Sequence, residues 1–249
     1  MLPPSGDVAV VIPAWNESDR IAATVRAAAG LDGVDIVVVV DDGSGDETAA
    51  AAEAAGASVL RHGRNRGKAA AMETGAEAVR RLEAGQDRPG PHHLLFLDGD
   101  LGETAGAAGP LAGPVRAGQA DMTIAVFSNR VRQGGHGFVV GLSGSGIMRA
   151  TGWRPAQPLN GQRCLTRAAF EAARPLAPGF GVETGLTIDL LRRGMRITEV
   201  EVPLAHRATG GDWRSQVHRG RQFLDVARAL AARRAGLRGG AYASRRARG

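Results

Sequence analysis

Four apolar residues, Leu94-Leu95-Phe96-Leu97, run directly into Asp98-Gly99-Asp100-Leu101-Gly102-Glu103. An apolar run this short, stopped by acids around a glycine, reads as a buried strand. A parallel strand that ends in two carboxylates places them at the carboxyl edge of a sheet, where open α/β folds bind ligands. Two acids one residue apart suit a hard divalent cation that also takes phosphate oxygens. Asp-Gly-Asp is equally ordinary turn chemistry, so the neighbouring segments have to decide its meaning.

Upstream, three more apolar runs end in polar motifs. Val8 to Ile12 reads as a strand ended by Pro13, within Pro13-Ala14-Trp15-Asn16-Glu17. Ile36 to Val40 is β-branched throughout and reads as a central strand; it turns at Asp41-Asp42-Gly43-Ser44-Gly45-Asp46. A shorter strand at 58–60 leads to Arg64-Asn65-Arg66-Gly67-Lys68-Ala69. Helices are expected between them: one capped by Ser18 or Asp19 and running to Gly30, one over 46–55 and one over 67–82. Strand and helix alternating in this way predict a mostly parallel sheet covered on both faces, an α/β fold. Four polar motifs would then converge on one sheet edge.

The second half is less regular. A strand is expected at 122–127, a mobile glycine-rich loop around a short helix at 128–145, helices at 166–173 and 183–193, and a strand at 196–202 ended by Pro203. From about Trp213 an amphipathic helix would align Phe223, Val226, Leu230 and Leu237 on one stripe. We expect one domain over residues 1–240 and a disordered basic tail over 241–249.

Composition narrows the setting. The chain has 249 residues, one cysteine (Cys164) and a formal charge of +6. No disulfide can form within it and no Cys/His cluster has zinc spacing. The first residues lack the pattern of a signal peptide, and a cytoplasmic protein is expected. From His206 onward eleven arginines face only Asp212 and Asp225, so the remainder of the chain is mildly acidic. Lys68 is the sole lysine. Lysine and arginine are not equivalent where a compact charge must touch a phosphate, which marks Lys68 for function.

The motifs Pro13-Ala14-Trp15-Asn16-Glu17, Asp41-Asp42-Gly43-Ser44 and Asp98-Gly99-Asp100 resemble those of family 2 glycosyltransferases with the GT-A fold. The Arg64–Ala69 segment is similar to the branch containing polyprenyl-phosphate sugar transferases. Asn160-Gly161-Gln162-Arg163 and Gly179-Phe180-Gly181-Val182-Glu183 resemble bacterial members. This resemblance spans residues 8–226 and implies a metal-dependent glycosyltransferase using a nucleotide-diphosphate sugar, UDP or GDP. Pro13, Ala14 and Glu17 would line the base and ribose pocket, and Asp42 would read a base N–H. Lys68 would meet the phosphates at a helix start, a position that favours anions. Asp98 would contact ribose or a metal-bound water, and Asp100 would hold Mg2+ or Mn2+. His206 follows the last strand, where relatives often place a metal ligand; a surface or capping histidine is the plainer alternative. His92, His93, His136 and His218 are taken as structural or solvated.

Glu183 is the candidate base, although an acid in the first turn of a helix also has a purely structural use. Relatives often carry Glu-Asp there, and this chain has Glu183-Thr184. An acceptor that is already an oxyanion, such as a polyprenyl phosphate, would need no such aspartate. Arg163 and Arg207 would clamp it by bidentate contacts, and the basic helix would lie on the inner face of the membrane as a peripheral anchor. The alternative acceptor is a soluble acid such as a phosphorylated glycerate. A nucleotidyltransferase would be expected to show a Gly-Gly-x-x-x-Arg loop after the first strand. No nucleic-acid partner is expected from an acidic body with few aromatics.

Overall fold

Apolar residues on both sides of the first strand set the layers. In β1 (Val8–Ala14), Val8, Val10 and Ile12 face one buried cluster, while Ala9 and Val11 face another. A strand buried on both faces requires helices on both. The structure is a computed structural model that describes residues 7–127, 137–204 and 213–234. The other strands are β2 (Val34–Asp41), β3 (Ser58–Arg61), β4 (His93–Phe96), β5 (Met122–Phe127), β6 (Arg163–Leu165) and β7 (Ile197–Val202). They form one sheet in the order β3-β2-β1-β4-β6-β5-β7. β6 is antiparallel to both of its neighbours, and every other pairing is parallel.

Helix α1 (Ile21–Ala29), α2 (Thr48–Ala54) and the 3-10 segment Gly102–Leu111 cover one face. The other is covered by α3 (Lys68–Glu83), α6 (Arg167–Ala173) and α7 (Val182–Leu191). A short α4 (Gly113–Arg116) links the 3-10 segment to β5. A third cluster forms where α7 meets α5 (Gly137–Thr151) and α8 (Trp213–Arg234).

Several expectations need correction. Pro13 does not end β1, which continues to Ala14 paired with Asp41. Residues 11 and 13 point their backbone groups toward β4, but that ladder ends at Val11–Phe96. The missing N–H of Pro13 therefore falls where no partner strand remains. Neither Ser18 nor Asp19 caps α1; Arg20 occupies that position without a side-chain cap bond. Ser18 and Thr48 are instead used to tie loops together, as described below.

Within the glycine-rich stretch, residues 137–151 form a 15-residue helix where only a short one was expected. Each helical glycine costs about 1 kcal/mol relative to alanine, so propensity argues against it and packing decides. A side chain at Gly146 would meet Leu230 of α8 at 2.4 Å, so α8 can approach only over glycine there. Gly181 serves α8 similarly, since a Cβ would lie 2.7 Å from Ala229. The stripe on α8 is consequently buried against protein: Val226 and Leu230 pack with Val139, Ile147 and Ile188. At Val226 and Leu230 the stripe is thus taken up by packing within the protein. Among the described residues no helix is long and apolar enough to cross a membrane. His206, Arg207, Leu237 and residues 241–249 lie outside the described residues.

Candidate active site

Strands β1, β2 and β4 all deliver their loops to the carboxyl edge, and hydrogen bonds knit those loops into one surface. The amide of Asn16 donates to the Ser44 hydroxyl at 2.9 Å, and the Asn16 side-chain oxygen accepts from Gly45 N–H at 2.9 Å. Asn16 reaches this geometry at φ 57, a left-handed conformation that asparagine tolerates. Next along, Glu17 N–H donates to Thr48 and Ser18 N–H to Asp46. Burial raises the Asp46 pKa, but hydrogen bonds from Thr48 and Ser18 outweigh it and hold the carboxyl below its usual range. The β2 loop then supports the β3 loop: Gly43 has φ +77, and a Cβ there would lie 2.5 Å from the Arg64 carbonyl carbon.

The Asp98-Gly99-Asp100 turn is held from α1. Buried Thr24 donates its hydroxyl to Gly99 O at 2.9 Å and accepts from Gly102 N–H at 2.8 Å. Arg20 donates to Asp100 O at 3.3 Å. Thr24 is a polar residue on the otherwise apolar face of Ile21, Val25 and Ala28, and that interruption was the available sequence signal for it.

At the centre stands Lys68, the first residue of α3. Its Nζ lies 2.6 Å from Asp98 Oδ1 and 2.9 Å from Glu183 Oε1. Burial would lower the lysine pKa, but the two carboxylates overcome this and raise it above the ordinary value. Gln162 Nε2 donates to the other Asp98 oxygen at 2.8 Å. Gly161 permits this crowding, since a Cβ there would sit 2.2 Å from Lys68 Nζ and 3.0 Å from Asp98 Oδ1. The reversed direction of β6 explains the placement: a strand antiparallel to β4 brings in its preceding residues at the edge where β4 ends. Glu183 arrives from the opposite side, in the first turn of α7.

The sequence-derived site residues thus meet unevenly. Lys68, Asp98 and Glu183 form one cluster, with Pro13, Ala14, Glu17 and Asp100 on the same edge; Gly99 packs against Ala14 and Glu17. Arg163 is a correction. It is buried, and its guanidinium donates to the carbonyls of Asn160, Glu183 and Pro158 and to Thr187. Burial lowers its pKa to about 10, against the opposing charges of Glu183, Glu199 and Asp98. Arg163 braces the start of α7 from inside and presents no fork to an acceptor. Asp42 is also engaged internally, accepting from Arg66 N–H, Gly67 N–H and the His62 ring. Gln162, Thr24 and His62 had no assigned role in the sequence reading.

A divalent cation would find hard oxygen donors at this edge, in Asp100 and Asp98. Among the described residues no group of three His, Cys, Asp or Glu could hold a metal ion by itself. That donor set fits a magnesium- or manganese-class ion that draws its remaining oxygens from a diphosphate and water. Asp98 is also shared between Lys68 and Gln162.

An open sheet that gathers acids and a lysine at its carboxyl edge belongs to nucleotide-binding α/β proteins. The chain belongs to Glycosyl transferase family 2, whose family model matches residues 9–163. It is 32% identical over 203 residues to a glucosyl-3-phosphoglycerate synthase of Mycolicibacterium paratuberculosis, covering 75% of this chain and 60% of the relative's length. It is 30% identical to the glycosyltransferase AglJ of Haloferax volcanii, covering 85% of this chain and 67% of AglJ. The fold is similar to the crystal structure of glucosyl-3-phosphoglycerate synthase from Mycobacterium tuberculosis in complex with Mn2+, UDP-glucose and phosphoglyceric acid. That similarity has a TM-score of 0.71 at 27% identity and covers 92% of this chain and 79% of the other. The GT-A fold expected from the motifs is therefore the fold observed.

Proposed function

We propose that the chain transfers a hexosyl group from a nucleoside-diphosphate sugar of the UDP-glucose class to a small phosphorylated acid of the phosphoglycerate class. The observation that carries this reading is Lys68, held by Asp98 and Glu183 at the ligand-binding edge. An ammonium with a raised pKa is a permanent positive charge, suited to the diphosphate that leaves with the nucleotide. Asp98 and Glu183 keep that charge in place, and an incoming diphosphate competes with them for its N–H groups. Mg2+ or Mn2+, when bound at Asp100 and Asp98, would supply further positive charge to the same oxygens.

Glu183, in the first turn of α7 and 2.9 Å from Lys68 Nζ, is the carboxylate we assign to the acceptor. A hydroxyl acceptor gives up its proton on reaction, and the Glu183 carboxylate can accept a hydrogen bond from that hydroxyl and hold it in position. A small phosphorylated acid is favoured over a polyprenyl phosphate by two observations. The relatives named glucosyl-3-phosphoglycerate synthase match most of this chain, and the apolar stripe of α8 packs on α5 and α7.

The test is nucleotide release from UDP-glucose with Mn2+, with 3-phosphoglycerate, glycerol 3-phosphate or a polyprenyl phosphate offered separately and products weighed by mass spectrometry. We expect a glycosylated product with a small phosphorylated acid and loss of turnover on chelation. Transfer confined to the polyprenyl phosphate, or no transfer from any nucleotide sugar, would overturn the reading.

A further inference from the structure

Lys68 owes its position to a buried chain that begins elsewhere in the fold. The Asp42 carboxylate accepts the backbone N–H of Arg66 at 2.9 Å and of Gly67 at 2.7 Å, the two residues that precede Lys68. His62 Nδ1 lies 2.6 Å from the same carboxylate, and His62 Nε2 lies 2.9 Å from the Thr74 hydroxyl. A carboxylate only accepts, so Nδ1 carries the proton, and Nε2 shares a hydrogen bond with the Thr74 hydroxyl. His62 itself is buried. Thr74 stands on α3 itself, six residues beyond Lys68. The ring therefore ties the loop before α3 to a point inside α3, with Asp42 between them.

We infer that His62 is a positioning residue: by orienting the Asp42 carboxylate it fixes the Arg66 and Gly67 amides and so sets where Lys68 enters the site. Gly67 has φ +90, a conformation with several alternatives for glycine, so the loop needs an external hold to keep a single one. Two backbone amides on one carboxylate supply that hold, and a buried carboxylate keeps its orientation only when its own geometry is fixed. The role of the loop in catalysis rests on the function proposed above; the mechanical part of the inference does not.

The experiment therefore has two arms on the full chain. The first follows amide hydrogen exchange of the peptide containing Arg66 and Gly67 in the wild type, His62→Leu and His62→Asn. Asparagine can place a donor where Nδ1 stands and cannot reach Thr74. We expect exchange at this peptide to accelerate about tenfold or more in His62→Leu and to recover largely in His62→Asn, since lost protection reports local opening. The second arm measures donor and acceptor KM separately. His62→Leu should raise the donor KM or lower kcat with the acceptor KM unchanged, and His62→Asn should restore most of the loss. Unchanged exchange in a folded His62→Leu protein, or equal damage in both variants, overturns the inference. If the wild type transfers no sugar, the functional reading fails while the exchange arm still decides this one. If His62→Leu does not fold, His62→Ala takes its place: the same peptide must then exchange faster in His62→Ala than in His62→Asn, or the inference falls.

Discussion

Replacing Gly161 with alanine should remove Lys68 from its place without unfolding the protein. The added Cβ would stand 2.2 Å from Lys68 Nζ and 3.0–3.1 Å from both Asp98 oxygens. The nearest atom is the tip of a flexible side chain, so the amine moves and the backbone need not. A hydrogen bond to a charged group contributes about 1.5–3 kcal/mol. Losing one of the two carboxylate partners should lower donor kcat/KM about tenfold, and losing both about a hundredfold. Alanine restricts the unfolded chain and returns about 0.4–1 kcal/mol, which offsets part of one lost bond. A melting-temperature fall of about 1–10 °C is then expected for a chain of this size. The assay is donor kinetics on the wild type, Gly161→Ala, Lys68→Ala and the double variant. If the alanine acts through the lysine, the double variant matches Lys68→Ala alone. Wild-type donor kinetics in Gly161→Ala, or losses that simply add, would refute the reasoning.

Gly43→Ala should act on stability instead, because its obstacle is the Arg64–Asn65 backbone and its φ is +77; we expect a loss of about 2–4 kcal/mol in chemical denaturation. Arg163→Met should cost about 3–5 kcal/mol by leaving buried carbonyls of Asn160, Pro158 and Glu183 without their donor, read as a lower denaturation midpoint. A raised lysine pKa keeps Lys68 charged below its unfolded value of 10.5, so its stabilisation is fully present there and is lost only as pH rises through the higher folded value. The pH–rate profile should accordingly show no alkaline limb from Lys68 up to about pH 10, and a lysine limb at pH 8–9 that vanishes in Lys68→Arg would contradict this.

What could be read from the sequence follows from the range of the forces involved. Strands β1 to β5 announce themselves by apolar runs and β-branched residues, and the acids and the lysine that follow them are legible at once. The partners of those residues do not. Gln162 lies 64 residues from Asp98 and Glu183 lies 115 from Lys68, and only the path of β6 and α7 brings them together. Arg163 shows the corresponding error: beside a promising motif, an arginine reads as a clamp, and nothing local reveals that it is buried. β6 has three residues and is too short to carry a pattern. α5 misled for the opposite reason, since its glycines lower helix propensity while making room for α8. His62 offered no periodicity and no motif; its role exists only in the folded arrangement.

The antiparallel seam between β4 and β6 has a mechanical consequence. Leu94, Leu95 and Phe96 pair with Leu165, Cys164 and Arg163, and those same β6 residues pair onward with β5. The strands that carry Asp98 and those leading toward Glu183 are thus stitched through one continuous ladder. Parting the two halves like a clam shell would tear main-chain bonds in the middle of the sheet, not at a linker. The spacing of Asp98 and Gln162 is therefore a property of the sheet, set when the chain folds.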